Sequence, residues 1–340
     1  MIAASDPLPL VLIGVVGLAV VAYVLTAGAD FGAGIWDLLA RGPRAARHRT
    51  LIEHAIAPIW EANHIWMILV VVLLFTGFPV AFSVVAIALH IPITAALVGI
   101  VLRGTAFTFR SYGLQSAGTR RRWGGVFAWS SAVTPIFLGM TLGALSTGEI
   151  RVREGLVTTG FVAGWTTPFA IGVGIFALVL FTLLAAVYLT VDAEDDRPVQ
   201  EDFRRRAIVT ELLAFAVAAA VAWRASVDAP QLYAGLRHST WSMPAQGVTA
   251  AAAVTVLVAL WQRRYPLARL AVIVQVGMIT VVWGLAMDGH LVMPDVTIET
   301  AGLRPIVVRP VLWILAGGSV VLAPALWFLY RVFKSPRAAT

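Results

Sequence analysis

The chain has 340 residues, of which 59% are apolar and only 13% charged, and its mean hydropathy is +0.86. A soluble domain carries about 25% charged residues, so this composition excludes a soluble enzyme, a disordered chain and a nucleic-acid binder, and indicates a membrane protein. The net charge of +7 then reads as topology rather than affinity for nucleic acid, and the lack of cysteine excludes disulfides, zinc–thiolate sites, iron–sulfur clusters and covalent c-type haem on this chain.

A spanning helix needs about 20 mostly apolar residues. Nine such stretches follow in chain order: Pro9–Gly28, Ile56–Phe75, Val80–Leu102, Trp123–Leu145, Phe161–Leu189, Ala207–Trp223, Met243–Trp261, Leu270–Asp288 and Pro310–Phe333. The first is read as a span and not as a cleaved signal peptide, because Asp6 precedes it and no basic segment does. With the N-terminus outside and the C-terminus inside, 19 of the 25 basic residues fall in inward segments, the alternation that the positive-inside rule demands. The expectation is one polytopic, all-α transmembrane domain over residues 1–340. Nine helices leave room for two four-helix bundles and one peripheral helix. The charged stretch Asp192–Arg206 reads as a solvated inner loop.

Polar residues inside a bilayer are costly and mark function by default. The first cluster, Gly28-Ala29-Asp30-Phe31-Gly32-Ala33-Gly34-Ile35-Trp36-Asp37, closes the first span. Its carboxylates stand seven residues apart, on one face of a continuous helix, and its glycines permit close helix approach. A position in the inner headgroup region is the alternative for both. The second cluster, Pro58-Ile59-Trp60-Glu61-Ala62-Asn63-His64-Ile65-Trp66, opens the second span with a proline suited to a first helical turn. Glu61 and His64, spaced i,i+3, can touch. They suit proton transfer or a polar pair that cements helix packing, and the residues alone do not choose. In the third cluster, Arg103-Gly104-Thr105-Ala106-Phe107-Thr108-Phe109-Arg110, the two arginines could pair with Asp30, Asp37 or Glu61. Spacing alone favours contact with lipid or solvent. His90 reads as a hydrogen-bonded histidine near mid-membrane, with ligation of haem or metal as the sharper alternative. Met287-Asp288-Gly289-His290 reads as a cap and turn, and Met140 and Met293 as packing residues.

Taken together, the three clusters and Phe78-Pro79 resemble subunit II of cytochrome bd-type ubiquinol oxidases. That family's strings read G-F-D-x-G-x-G, P-x-W-D-G-N-x-x-W, F-P and R-G-x-x-F-x-[FY]-R, and the match runs over about residues 24–112. This chain departs in having Glu61 for Asp, Ala62 for Gly, His64 at a Gln or Glu position and Thr108 where many members have Glu. The resemblance implies a multi-pass subunit of a bacterial-type cytoplasmic membrane without its own catalytic redox centre. It implies a haem-bearing subunit I as partner, carrying haems b and d and the quinol site, and no haem or metal on this chain. A structural quinone or lipid stays open. It also implies two roles: stabilising subunit I, and lining a proton path from the cytoplasm through Asp37 or Asp30, Glu61 and His64. Arg103, Arg110, Asn63 and Trp60 would be structural or charge-pairing residues. The alternatives are a related electron-transfer complex that does not reduce oxygen, a proton-coupled transporter, and a haem-carrying subunit using His64, His90 or His290.

Overall fold

The computed structural model describes residues 7–56, 59–112, 116–301 and 305–334. Among them are nine helices long and apolar enough to cross a membrane: α1 (Leu8–Leu38), α3 (Trp60–Gly77), α5 (His90–Tyr112), α6 (Ala117–Ala144), α7 (Pro168–Asp192), α8 (Arg197–Asp228), α10 (Ser242–Trp261), α11 (Tyr265–Ala286) and α13 (Pro305–Lys334). Shorter helices join them: α2 (Ala45–Ile56), α4 (Pro79–Ala88), α9 (Pro230–His238) and α12 (Ile298–Ala301). Two antiparallel hairpins, β1 (Val152–Arg153) with β2 (Leu156–Val157) and β3 (His290–Val292) with β4 (Val296–Thr297), complete the order. Asp295 ties the hairpins together, accepting from Arg151 at 2.8 and 3.0 Å and from the Val152 amide at 2.8 Å. Pro58 lies outside the described residues.

The helices pack as two groups, α1, α3, α5 and α6 against α7, α8, α10 and α11, joined mainly through α1 and α6 on α7. Helix α13 stands apart. It touches α1 but keeps Ile306, Trp313, Ile314, Val320 and Val321 more than 70% exposed, as a helix solvated by lipid would. The loops rich in arginine gather at one end of the bundle, called here the arginine-rich end; the hairpins cap the other.

The elements depart from the sequence expectation where local chemistry is decisive. The glycine cluster does not end the first helix. α1 runs on to Leu38, and Asp30 and Asp37 are helical and buried. The glycines instead face a neighbour: a Cβ on Gly32 would strike the Phe181 backbone carbonyl and one on Gly28 the Phe181 ring. The Trp36 indole donates to the Thr182 carbonyl at 2.9 Å across the same α1–α7 contact. The expected third span is split, because Pro92 has no amide to offer the Ala88 carbonyl and its ring crowds that turn; Leu89 leaves helical geometry there. His90 is consequently not near the middle of a long helix. It is exposed at the α4–α5 junction, its Nδ1 2.9 Å from the Ile87 carbonyl and its ring 4.9 Å from that of Phe161. The fifth span begins at Pro168 rather than Phe161, which is 57% exposed in a turn.

The stretch 192–206 is more than a solvated loop. It starts α8, whose N-cap Asp196 accepts from the Val199 amide. Asp202 receives Arg44 through two bonds of 2.6 and 2.7 Å and His48 at 3.0 Å, while Asp196 pairs with Arg47. These contacts hold the amphipathic α2 against the arginine-rich end. His48 is 2% exposed; burial and the neighbouring Arg206 guanidinium hold its imidazole below the usual histidine range.

Candidate functional site

Helices α1, α3, α5 and α6 bring the three sequence clusters together. Asp30, 6% exposed, accepts a 2.7 Å hydrogen bond from Asn63 Nδ2. Arg103 is buried beside them: its Nη2 donates to the Asp30 carbonyl at 2.9 Å and its Nε to Ser131 Oγ at 3.2 Å. The guanidinium sits over the rings of Phe31 and Phe127, 5.0 and 5.1 Å from their centroids. One helical turn or two nearer the arginine-rich end, Arg110 clamps Asp37 through bonds of 2.8 and 3.2 Å, and Arg49 lies 3.6 Å from the same carboxylate. Contact with lipid or solvent is therefore not what these two arginines do. Arg110 is turned inward because the buried Asp37 carboxylate needs a counter-charge and a planar fork supplies it, and Arg103 is turned inward onto the Asp30 carbonyl, Ser131 and two aromatic rings.

His64 lies among rings, with centroids 5.8 Å from Tyr23, 5.9 Å from Phe31 and 6.4 Å from Trp60. Among the described residues no group of three or more His, Asp or Glu side chains is placed to hold a metal ion. Glu61 is the residue that the fold does not bring in. It is exposed on the first turn of α3, while Asn63, two residues on and about 200° around the helix, is buried against Asp30. The expected Glu61–His64 contact is absent from the described hydrogen bonds and ion pairs.

A cleft of about 300 Å³ leads to Asp30 and Asn63 between α1, α3, α7 and α11. Asp192, Arg269 and Tyr188 line it at the arginine-rich end; Ala22, Leu25, Ala29, Ile59 and Ile273 form apolar walls. Arg269 lies 3.8 Å from Asp192 and 4.9 Å from the centre of the Tyr188 ring. Sequence reasoning missed Tyr23, whose hydroxyl is buried without a hydrogen-bond partner, and Tyr188 and Arg269. A tyrosine within an otherwise apolar span was the available signal for the first. The other two are made relevant only by the packing of α7 and α11 on α1.

The family model described as cytochrome bd terminal oxidase subunit II matches residues 8–333. The chain belongs to that family. It is 24% identical over 335 residues to the putative cytochrome bd menaquinol oxidase subunit II of Bacillus subtilis, covering 95% of each chain. It is 26% identical over 178 residues to the cytochrome bd-I ubiquinol oxidase subunit 2 of Escherichia coli K12, covering 51% of this chain and 46% of that one. The fold is similar to a chain in the structure of bd oxidase from Geobacillus thermodenitrificans, with a TM-score of 0.75 and 20% identity over 96% of this chain and 99% of that one. As a subunit II family member with nine apolar helices among the described residues, the chain is a multi-pass protein of a bacterial inner membrane and part of a quinol oxidase.

Proposed function

We propose that this subunit stabilises a haem-bearing subunit I and gives protons a route from the cytoplasm towards it, with no haem of its own. One observation carries the reading: a buried carboxylate, Asp30, stands at the head of a cleft lined at the arginine-rich end by Asp192 and Arg269. The excess of arginine there assigns that end to the cytoplasm. Asp30 is then the proton-loading group inside the subunit. Asp37, held by two arginines, sets the field at the entrance. Glu61, exposed on α3, is available to the partner subunit and passes protons across the interface; His64 and Trp60 wall the passage between. The partner carries haems b and d and oxidises quinol.

Asp30→Asn and Glu61→Gln in the intact oxidase test this. Oxygen consumption and proton uptake per assembled complex are expected to fall about tenfold or more in each. Unchanged turnover in both variants rejects the route. A second reading rests on Arg103: Asp30 is its counter-ion, and the pair only builds the bundle. In that case Asp30→Asn lowers the yield of complex but leaves turnover per complex intact. The apolar cleft walls also suit the tail of a structural quinone or lipid. Mass spectrometry of organic extracts from the washed complex separates that occupant from water.

A further inference from the structure

The second group of helices contains a buried carboxyl group that the proton route above does not use. Glu211 on α8 is 0% exposed and Gln275 on α11 is 4% exposed. Gln275 Nε2 donates to Glu211 Oε1 at 2.8 Å. The remaining two oxygens of the pair, Glu211 Oε2 and Gln275 Oε1, are both buried and have no hydrogen-bond partner among the described residues. Gln275 lies six residues beyond Arg269 on α11, about 9 Å deeper into the bundle.

The surroundings supply no counter-charge. Among the described residues Glu211 has no ion-pair partner. Helix α10 has no ionisable residue, α7 has only Tyr188 and Asp192 near its arginine-rich end, and α11 has only Tyr265 and Arg269 in its first turns. On its own helix the nearest ionisable residue is Arg206, whose guanidinium faces the rings of Trp36 and Phe203. Ala207, Ala214, Ala271 and Val272, one turn away along the two helices, belong to the buried apolar core.

Two orphaned acceptors on one hydrogen-bonded acid–amide pair are what such a pair shows when its proton is left out of account. An ionised carboxylate here would be a buried charge with one hydrogen bond, and the Gln275 carbonyl would have none; both conditions are costly. A proton on Glu211 Oε2 corrects both at once. It neutralises the charge, and with the two groups turned face to face the acid O–H donates to Gln275 Oε1 while the N–H···O bond is kept. We propose that Glu211 and Gln275 form an intramembrane proton-binding site in which Glu211 is a carboxylic acid and the proton is shared between Glu211 Oε2 and Gln275 Oε1. The site is separate from the Asp30 cleft and does not depend on the proposed route.

Infrared spectroscopy of the intact complex tests this, by the carbonyl absorption of protonated carboxyl groups in H₂O and D₂O. Glu211→Gln is expected to assemble in wild-type yield, since a neutral amide replaces a neutral acid with the same two hydrogen bonds, and to lack one such band. Gln275→Leu is expected to keep that band but shift it to higher frequency, as a carboxyl group that loses its partner does. A spectrum of Glu211→Gln identical to wild type overturns the proposal. So does failure of Glu211→Gln to assemble, because only a required negative charge makes that substitution severe.

Discussion

Two carboxyl–amide pairs lie inside this subunit of the bd-oxidase family, one in each group of helices, and they are held in opposite ways. Asp30 and Asn63 sit within a ring of charge: Arg103 at the Asp30 carbonyl, Ser131 behind it, and the cleft of Asp192 and Arg269 in front. Among the described residues Glu211 and Gln275 sit in apolar packing with each other as hydrogen-bond partners and two oxygens unmatched. The first arrangement surrounds a buried carboxyl group with charged and polar partners from neighbouring helices. The second is satisfied only by a neutral acid. The same two functional groups therefore make an electrostatic site in one half and a neutral site in the other, and the difference lies in whether a neighbouring helix contributes an arginine.

The largest effect should come from breaking the first arrangement. Arg103→Met removes the buried guanidinium beside Asp30 with its hydrogen bonds to the Asp30 carbonyl and Ser131, and losing one charged member of a buried cluster costs about 3–5 kcal/mol. The expected outcome is a severe loss of assembled complex and a large fall in melting temperature. Adding Asp30→Asn to Arg103→Met should restore part of the loss. Strict additivity of the two substitutions would mean that they do not interact, and the contrast with Glu211 would lose its basis.

The sequence displayed the first arrangement far better than the second. Asp30, Asp37, Arg103 and Arg110 are charges in or beside apolar spans, and such residues announce themselves. What it hid was their pairing. Residues 30 and 63, or 37 and 110, meet only through the packing of α1 on α3 and α5, while the glycines at 28, 32 and 34 set the approach of α1 to α7 and α6, and contacts so distant in sequence leave no local pattern. Glu61 shows the reverse. It is the most prominent residue of the second motif, yet one helical face separates it from the cluster, and reading Glu61 with His64 by spacing alone put it inside. Glu211 was missed although it stands inside a predicted span, because a lone Glu there has no motif around it and its partner Gln275 is uncharged. The nine spans were legible from hydropathy. The break at Leu89 was not, although Pro92 marks it, because an apolar run through a proline reads as one helix.

Close helix approach is what makes the charged site possible, and it supplies the next test. A methyl group at Gly32 meets the Phe181 backbone carbonyl, which cannot rotate away as a side chain would. Gly32→Ala should cost about 3 kcal/mol, the upper part of the range for overpacking, seen as a lowered melting temperature of the complex. Gly14 and Gly17 on the same helix meet nothing, so alanine at either position should be silent. Equal effects at Gly17 and Gly32 would show that backbone freedom, not the α1–α7 contact, decides. Arg110→Gln should do less than either Arg103→Met or Gly32→Ala, about 1.5 kcal/mol, because Arg49 still reaches Asp37 at 3.6 Å.

The smallest effect tests whether the arginine-rich end behaves as a third kind of site, charged but reached by solvent. His48 is packed against Phe203, 5.4 Å between ring centroids, with Asp202 on Nε2 and Arg206 3.3 Å from Nδ1. Burial and Arg206 lower its affinity for a proton, and Asp202 only partly offsets them. An unfolded histidine takes up a proton as pH falls through ~6.5, while His48 in the folded chain resists it. The stability due to neutral His48 is thus complete above that value and is lost progressively as pH falls below it towards the lower folded pKa. Melting temperature should therefore decline between pH 7.5 and 5.5, and His48→Gln, which cannot be protonated, should reduce that decline by about 2 °C. Parallel pH profiles for wild type and variant would place the acid sensitivity elsewhere and leave α2 docked by Arg44 and Arg47 alone. A flattened profile would show that the contact between α2 and α8 loosens on protonation, at an end of the bundle where the carboxylates keep their arginines.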